Sequence, residues 1–254
     1  MNPAYGAVIL LSLLSSVTTC LGVALAISLR ENTRAIATGI GFSAGVMILI
    51  SVFELVPESI AITGMRDALI TMIVSAAVIW AARLAIPYLQ SAGEKTMPDW
   101  RFKKSAYLVV LALILHDIPE GFAMANAYIA SPEVGVLVAL AIALHNLPEE
   151  FAMAVPAVTF RSKRFLCGAA LLSALAEPVG AIIGLAAVGV APSLHAYFLA
   201  FAAGAMIFVA IHELIPMAKR YRHLGLFIGG MIASVFVYGL LARITVGQIR
   251  WMPQ

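Results

Sequence analysis

Charge is what this sequence lacks most. Only 11% of its 254 residues are charged and 62% are hydrophobic, whereas a soluble domain carries roughly 25% charge to clothe its surface. That shortage excludes a water-solvated globule; lipid must be the solvent. No long polar stretch is left over from which a separate soluble domain could be cut, so residues 1–254 are read as a single transmembrane domain. Cysteine is nearly missing too. Cys20 and Cys167 fall in or beside different apolar runs, form no CxxC pair and say little about redox compartment.

What is present is a series of apolar runs long enough to cross a bilayer, for which about 20 residues suffice. The expected fold is all-α, with eight transmembrane helices at about 4–29, 36–60, 68–89, 105–127, 134–158, 165–188, 194–217 and 225–246, boundaries good to a few residues. The first run lacks a basic leader and is long, so it reads as a retained helix rather than a cleaved signal. Positive charge is distributed unevenly between the loops. Arg30 and Arg34 fall in the first, Lys95, Arg101, Lys103 and Lys104 in the third. Arg161, Lys163 and Arg164 fall in the fifth, and Lys219, Arg220 and Arg222 in the seventh, so these odd loops hold twelve of the 16 Lys and Arg. By the positive-inside rule the odd loops are cytoplasmic and both termini lie outside. Charges that alternate with the spans argue against a nucleic-acid patch, and no nucleic-acid partner is expected.

Eight of the 13 acidic residues sit inside the expected spans: Glu54, Glu58, Asp117, Glu120, Glu149, Glu150, Glu177 and Glu213. A carboxylate at the bilayer centre costs at least about 2.5–3.5 kcal/mol on insertion scales. Lys and Arg are almost absent from the spans, so metal cations or protons must compensate. The spacing favours metal. "LHDIPEGFAMANA" starts at Leu115 and "LHNLPEEFAMAVP" at Leu144. His116 and Glu120 are one i,i+4 pair on a helix face, and Asp117 with Glu120 an i,i+3 pair. Glu120 therefore faces both neighbours and can bridge two cations. His145, Asn146 and Glu149 repeat the pattern on the next, oppositely directed helix, so the sets meet near the midplane in inverted symmetry, a transporter arrangement. Pro119 and Pro148 remove an N–H each and displace the carbonyls of Leu115 and Leu144, which predicts helices broken at the site. Glu177 again sits mid-span before a proline. A weaker repeat, Glu-Leu-apolar-Pro, links "FELVPE" from Phe53 with "HELIPM" from His212, on the second and seventh spans.

"HDIPEG", "HNLPEE" and "AEPVG" resemble the metal-binding helices of the ZIP family of divalent-metal transporters, in particular its bacterial ZupT-like and GufA-like branches. "FELVPES" and "HELIPMAK" resemble the flanking helices. The resemblance spans essentially the whole chain. It implies a binuclear midplane site, one position using His116, Glu120, His145 and Glu149, the other Asp117, Glu120, Asn146, Glu149 and Glu177. It also implies an elevator-type motion of the first, fourth, fifth and sixth helices against the other four, import into the cytoplasm across a bacterial inner membrane, and a homodimer. Two positions depart from the pattern: Asp117 replaces the usual Asn, and Glu150 replaces the usual Gly. Glu150 is turned about 100° round the helix from Glu149, so it need not touch the same ion. The third loop lacks the histidines of many relatives, so no metal-sensing loop is expected.

The neutral imidazoles and carboxylates suit Zn²⁺ first, with Fe²⁺, Mn²⁺, Co²⁺ and Cd²⁺ as further cargoes. The metal is substrate; no catalytic cofactor is expected. Each residue also has a plainer alternative. A membrane histidine can be a packing residue, and Glu177 can relay protons. Glu54, His212 and Glu213 are candidate entrance and exit ligands or simply interfacial groups, as is Glu58. Met47 offers a soft thioether near mid-span but can be plain packing, and Glu150 is a further candidate of open role. An enzyme reading fails at two points. "HELIP" has Pro216 where a zinc protease needs His, and di-iron bundles use Glu-x-x-His rather than His followed by Glu at i+4. An intramembrane di-metal enzyme and a proton-coupled carrier of another solute remain the alternatives.

Overall fold

The computed structural model describes residues 3–29, 32–91, 117–158, 163–220 and 222–249, and among them there is helix and no strand. The helices are α1 (Pro3–Leu29), α2 (Thr33–Ile50), α3 (Val56–Thr63), α4 (Met65–Ser91), α5 (117–130), α6 (Pro132–Val158), α7 (Lys163–Val190), α8 (His195–Val209), α9 (Ile215–Arg220) and α10 (Leu224–Ile249). Five stretches are long and apolar enough to cross a membrane: Ala4–Ala26, Thr33–Thr63, Ala170–Val190, Pro192–His212 and Leu224–Ile244. Pro132–Pro148 is a shorter apolar stretch. The protein is a multi-pass helical membrane protein.

Local chemistry explains the ends. Asn32 caps α2 by accepting from the Ala35 N–H at 3.0 Å, which satisfies a donor the helix leaves open. Gly64, at φ 82°, stops α3 in a conformation that a Cβ disfavours. Two π-helical turns join α2 to α3 (Ser51–Leu55) and α8 to α9 (Ala210–Leu214). Each ends two residues before a proline, Pro57 or Pro216. Proline offers no N–H, and just upstream the ladder slips to i→i−5, with Val56 N–H donating to Ser51 O and Ile215 N–H to Ala210 O. The Glu-Leu-apolar-Pro repeat thus marks the same backbone event twice.

The break expected at Pro148 is not present: α6 is a continuous α-helix through that residue, as α7 is through Pro178. One lost hydrogen bond does not interrupt a helix held on several sides by its neighbours. The corresponding expectation at Pro119 involves the Leu115 carbonyl, which lies outside the described residues.

Glycines set the closest approaches. A Cβ on Gly121 of α5 would stand 1.9 Å from the Glu177 carbonyl oxygen of α7, and one on Gly180 of α7 2.1 Å from that of Ile118. Gly41 of α2 and Gly230 of α10 form a second such seam, 2.0 Å from Phe227 O and 2.1 Å from Thr38 O. Small residues permit this contact between membrane helices. The main apolar core is built from α2, α5, α6 and α8, with Ile40, Met47, Met124, Ile142, Leu199 and Met206 fully buried. Outward faces are apolar instead: Leu10 is 70% exposed and Phe236 73%, as lipid solvation requires. α1 shows the inversion most clearly, exposing Leu10, Leu14 and Leu21 while burying Ser12, Ser15 and Thr19.

Candidate metal centre

The polar heart of the molecule lies between α1, α5, α6 and α7. Asp117, Glu120, His145, Asn146, Glu150, Ser173 and Glu177 are all at most 3% exposed. His145 Nδ1 lies 2.9 Å from the Ala141 carbonyl oxygen, one turn back on its own helix. A carbonyl only accepts, so Nδ1 carries the hydrogen and Nε2 of the neutral ring is a lone pair. That lone pair meets Glu120 Oε1 at 3.0 Å. Two acceptors at this distance are stable only with a positive centre between them, a proton or a metal ion. A backbone carbonyl that fixes the tautomer is the outer support typical of a metal-binding histidine.

Asn146 extends the centre. Its Nδ2 is 2.9 Å from Ser15 Oγ, 3.4 Å from Thr19 Oγ1 and 3.2 Å from Glu177 Oε2. The second oxygen of Glu177, Oε1, is buried with no hydrogen-bond partner among the described residues, an uncommon state for a polar atom in the interior. Ser173 Oγ lies 2.6 Å from Asp117 Oδ2 and 2.9 Å from Glu150 Oε1. Asp117 and Ser173 stand one turn before Glu120 and Glu177 on α5 and α7, a rise of about 5.4 Å. The buried groups therefore form two adjacent layers, Glu120, His145, Asn146 and Glu177 in one, Asp117, Glu150 and Ser173 in the other. Ser43 of α2 donates to the His145 carbonyl at 2.9 Å, which ties the centre to a fifth helix.

Five of the seven principal candidates, Asp117, Glu120, His145, Asn146 and Glu177, are thus brought together. His116 lies outside the described residues, and so does the side chain of Glu149, although its backbone continues α6. Among the described residues no three His, Cys, Asp or Glu side chains close into a ready-made metal cage. Glu150 joins the centre through Ser173. Glu54 and His212 have other surroundings. Glu54 accepts from the Tyr238 hydroxyl of α10 and lines a separate cavity with Glu58, Ser131 and Leu199. Met47 is buried in the apolar core. His212 is exposed, with Nδ1 at 3.2 Å from the Phe208 carbonyl and its ring stacked on Phe208. The side chain of Glu213 lies outside the described part.

Sequence reasoning missed the hydroxyls: Ser15, Thr19, Ser43 and Ser173. A signal existed for α1, where Ser12, Ser15 and Thr19 recur at helical spacing and form one polar stripe in a greasy run.

The fold and site together define a multi-pass helical membrane protein with imidazole, carboxylate and amide groups buried together between its helices. The family model described as "ZIP Zinc transporter" matches residues 88–244. A protein named zinc transporter ZupT from Chlorobium phaeovibrioides is 36% identical over 263 residues, covering 94% of this chain and 98% of the relative. Relatives of the same name from Stenotrophomonas maltophilia and Corynebacterium aurimucosum are 34% and 35% identical, over 91% and 89% of this chain and 89% and 92% of theirs. The chain belongs to the ZIP family.

Proposed function

We propose that this protein carries divalent transition-metal cations, Zn²⁺ first and Fe²⁺, Mn²⁺, Co²⁺ and Cd²⁺ besides, across a bacterial inner membrane into the cytoplasm. The carrying observation is the buried His145–Glu120 contact, where the ring tautomer leaves two acceptors facing each other. A cation entering there displaces the proton that otherwise holds them, so loading releases protons and weakens as the pH falls. The relatives' names and family membership support zinc as cargo, and membership in a transporter family disfavours the di-metal enzyme.

The finer reading is one domain over residues 1–254 with eight spans, both termini outside, working as a homodimer. The two polar layers suit two cation positions near the midplane, with His116 and Glu149 completing them. The paired π-turns suit an inverted repeat relating the second span to the seventh. An elevator-type movement would carry the α1, α5, α6 and α7 group past the rest.

The test is Zn²⁺ uptake into proteoliposomes. Glu120→Ala should reduce uptake to background while circular dichroism and elution volume stay unchanged. Wild-type uptake by the folded variant would end this reading of the site.

A further inference from the structure

Ser173 stands where two carboxylates need the same hydrogen. Its oxygen is 2.6 Å from Asp117 Oδ2 and 2.9 Å from Glu150 Oε1, and all three side chains are buried. A serine hydroxyl has one hydrogen, and an ionised carboxylate can only accept. The shorter contact has the length of a charge-assisted O–H···O⁻ bond, so the hydrogen belongs chiefly to Asp117. Glu150 reaches the same oxygen from α6.

We propose that Ser173 is a positioning residue for Asp117, and that Glu150 tunes metal preference through it by competing for the Ser173 hydroxyl. The inference rests on the transport reading above. Ser173 ties Asp117 Oδ2 to α7 and so pre-sets the carboxylate. Asp117 is an anionic oxygen donor, the type that favours harder cations such as Mn²⁺, whereas His145 on the other layer favours Zn²⁺. A tighter hold on Asp117 raises Mn²⁺ relative to Zn²⁺; a looser one lowers it. Asp117 and Glu150 then belong to one device joined by a single hydroxyl.

The experiment measures Mn²⁺ and Zn²⁺ dissociation constants separately, by titration calorimetry on the full chain in detergent. Ser173→Ala should lower the Mn²⁺-over-Zn²⁺ preference about tenfold, the size of one hydrogen bond to a charged group, and Ser173→Thr should restore it. Glu150→Gln should move the ratio the opposite way by about threefold, because its amide can donate to the Ser173 oxygen and leave the hydroxyl hydrogen to Asp117. Both shifts should vanish in an Asp117→Asn background. General destabilisation moves both variants in the same direction and persists in that background. An unchanged ratio in Ser173→Ala, a Glu150→Gln shift of the same sign, or survival of either shift with Asn at 117 overturns the inference while leaving the transport reading intact. A wild-type chain that binds neither cation overturns both. Should Ser173→Ala not fold, Glu150→Gln with and without Asp117→Asn decides the question.

Discussion

Two sets of prolines in this chain do opposite things. Pro148 and Pro178 sit within continuous α-helices beside the buried polar layers, whereas Pro57 and Pro216 come just after π-turns. The difference lies in what each helix must present. In α6, regular geometry keeps Ala141 one turn beneath His145, so the carbonyl can fix the ring. Slippage there would uncouple the ring from its support. Between α2 and α3, Glu54 lies within the slipped turn itself and faces Tyr238 and a separate cavity. A proline therefore marks a lost hydrogen bond, and the neighbours decide whether the helix absorbs it or re-registers.

The comparison is broken most severely at the seam that aligns the polar layers. Gly121→Leu places a side chain where even a Cβ meets the Glu177 carbonyl at 1.9 Å. It should abolish Zn²⁺ binding and cost at least about 3 kcal/mol of stability, as severe overpacking does. Gly168→Ala, with nothing within 4 Å, is the matched control and should match wild type in binding and in SDS-unfolding midpoint.

A milder break exchanges the two proline behaviours. Deleting Val52, an exposed residue within the π-turn, should convert it to ordinary α-helix and swing Glu54 off Tyr238. Uptake should fall about tenfold, equivalent to ~1.4 kcal/mol, with midplane Zn²⁺ affinity retained. Pro148→Ala only restores an N–H to a helix that is already regular, and uptake should stay within about threefold, less than 1 kcal/mol. Equal losses in the two variants would show that the π-turn has no separate role.

The smallest effect sharpens the link between the two regions. Ser43→Ala removes the hydroxyl that α2 donates to the His145 carbonyl. The expected loss is about 1 kcal/mol of unfolding free energy, one buried hydrogen bond, with Zn²⁺ affinity lowered severalfold at most. SDS-unfolding titration of the purified protein measures it.

The acidic and imidazole half of the centre was legible because charge in lipid is conspicuous, and the i,i+4 spacing of His and Glu says which residues share a face. The all-helical, multi-pass character was legible for the same reason of scarcity, and among the described residues five of the eight expected spans coincide with stretches long and apolar enough to cross a membrane. The hydroxyl half was not. Ser15, Thr19, Ser43 and Ser173 look like the small residues any membrane helix uses for packing, and only neighbouring backbone and carboxylates reveal their second use. The π-turns were half legible: the Glu-Leu-apolar-Pro repeat was visible, but nothing in four letters says whether a proline is absorbed or bypassed. Met47 packs in the apolar core and His212 against the Phe208 carbonyl and ring, surroundings that residue type alone does not give.

The seams also decide which surfaces can act as bearings. Between α2 and α10, and between α5 and α7, backbone rests on backbone at glycines. A slip of one residue along either line would bring a substituted carbon to a point with room only for hydrogen, so neither pair slides along its own seam. α5 meets α8 differently, through the ring of Phe122 edge-on to Phe198 and Phe201 at 5.6 and 6.3 Å. Rings can tilt and re-stack without any backbone having to retreat. α5 is thus locked to α7 by backbone at glycines, whereas its contact with α8 is between side chains that can re-pack.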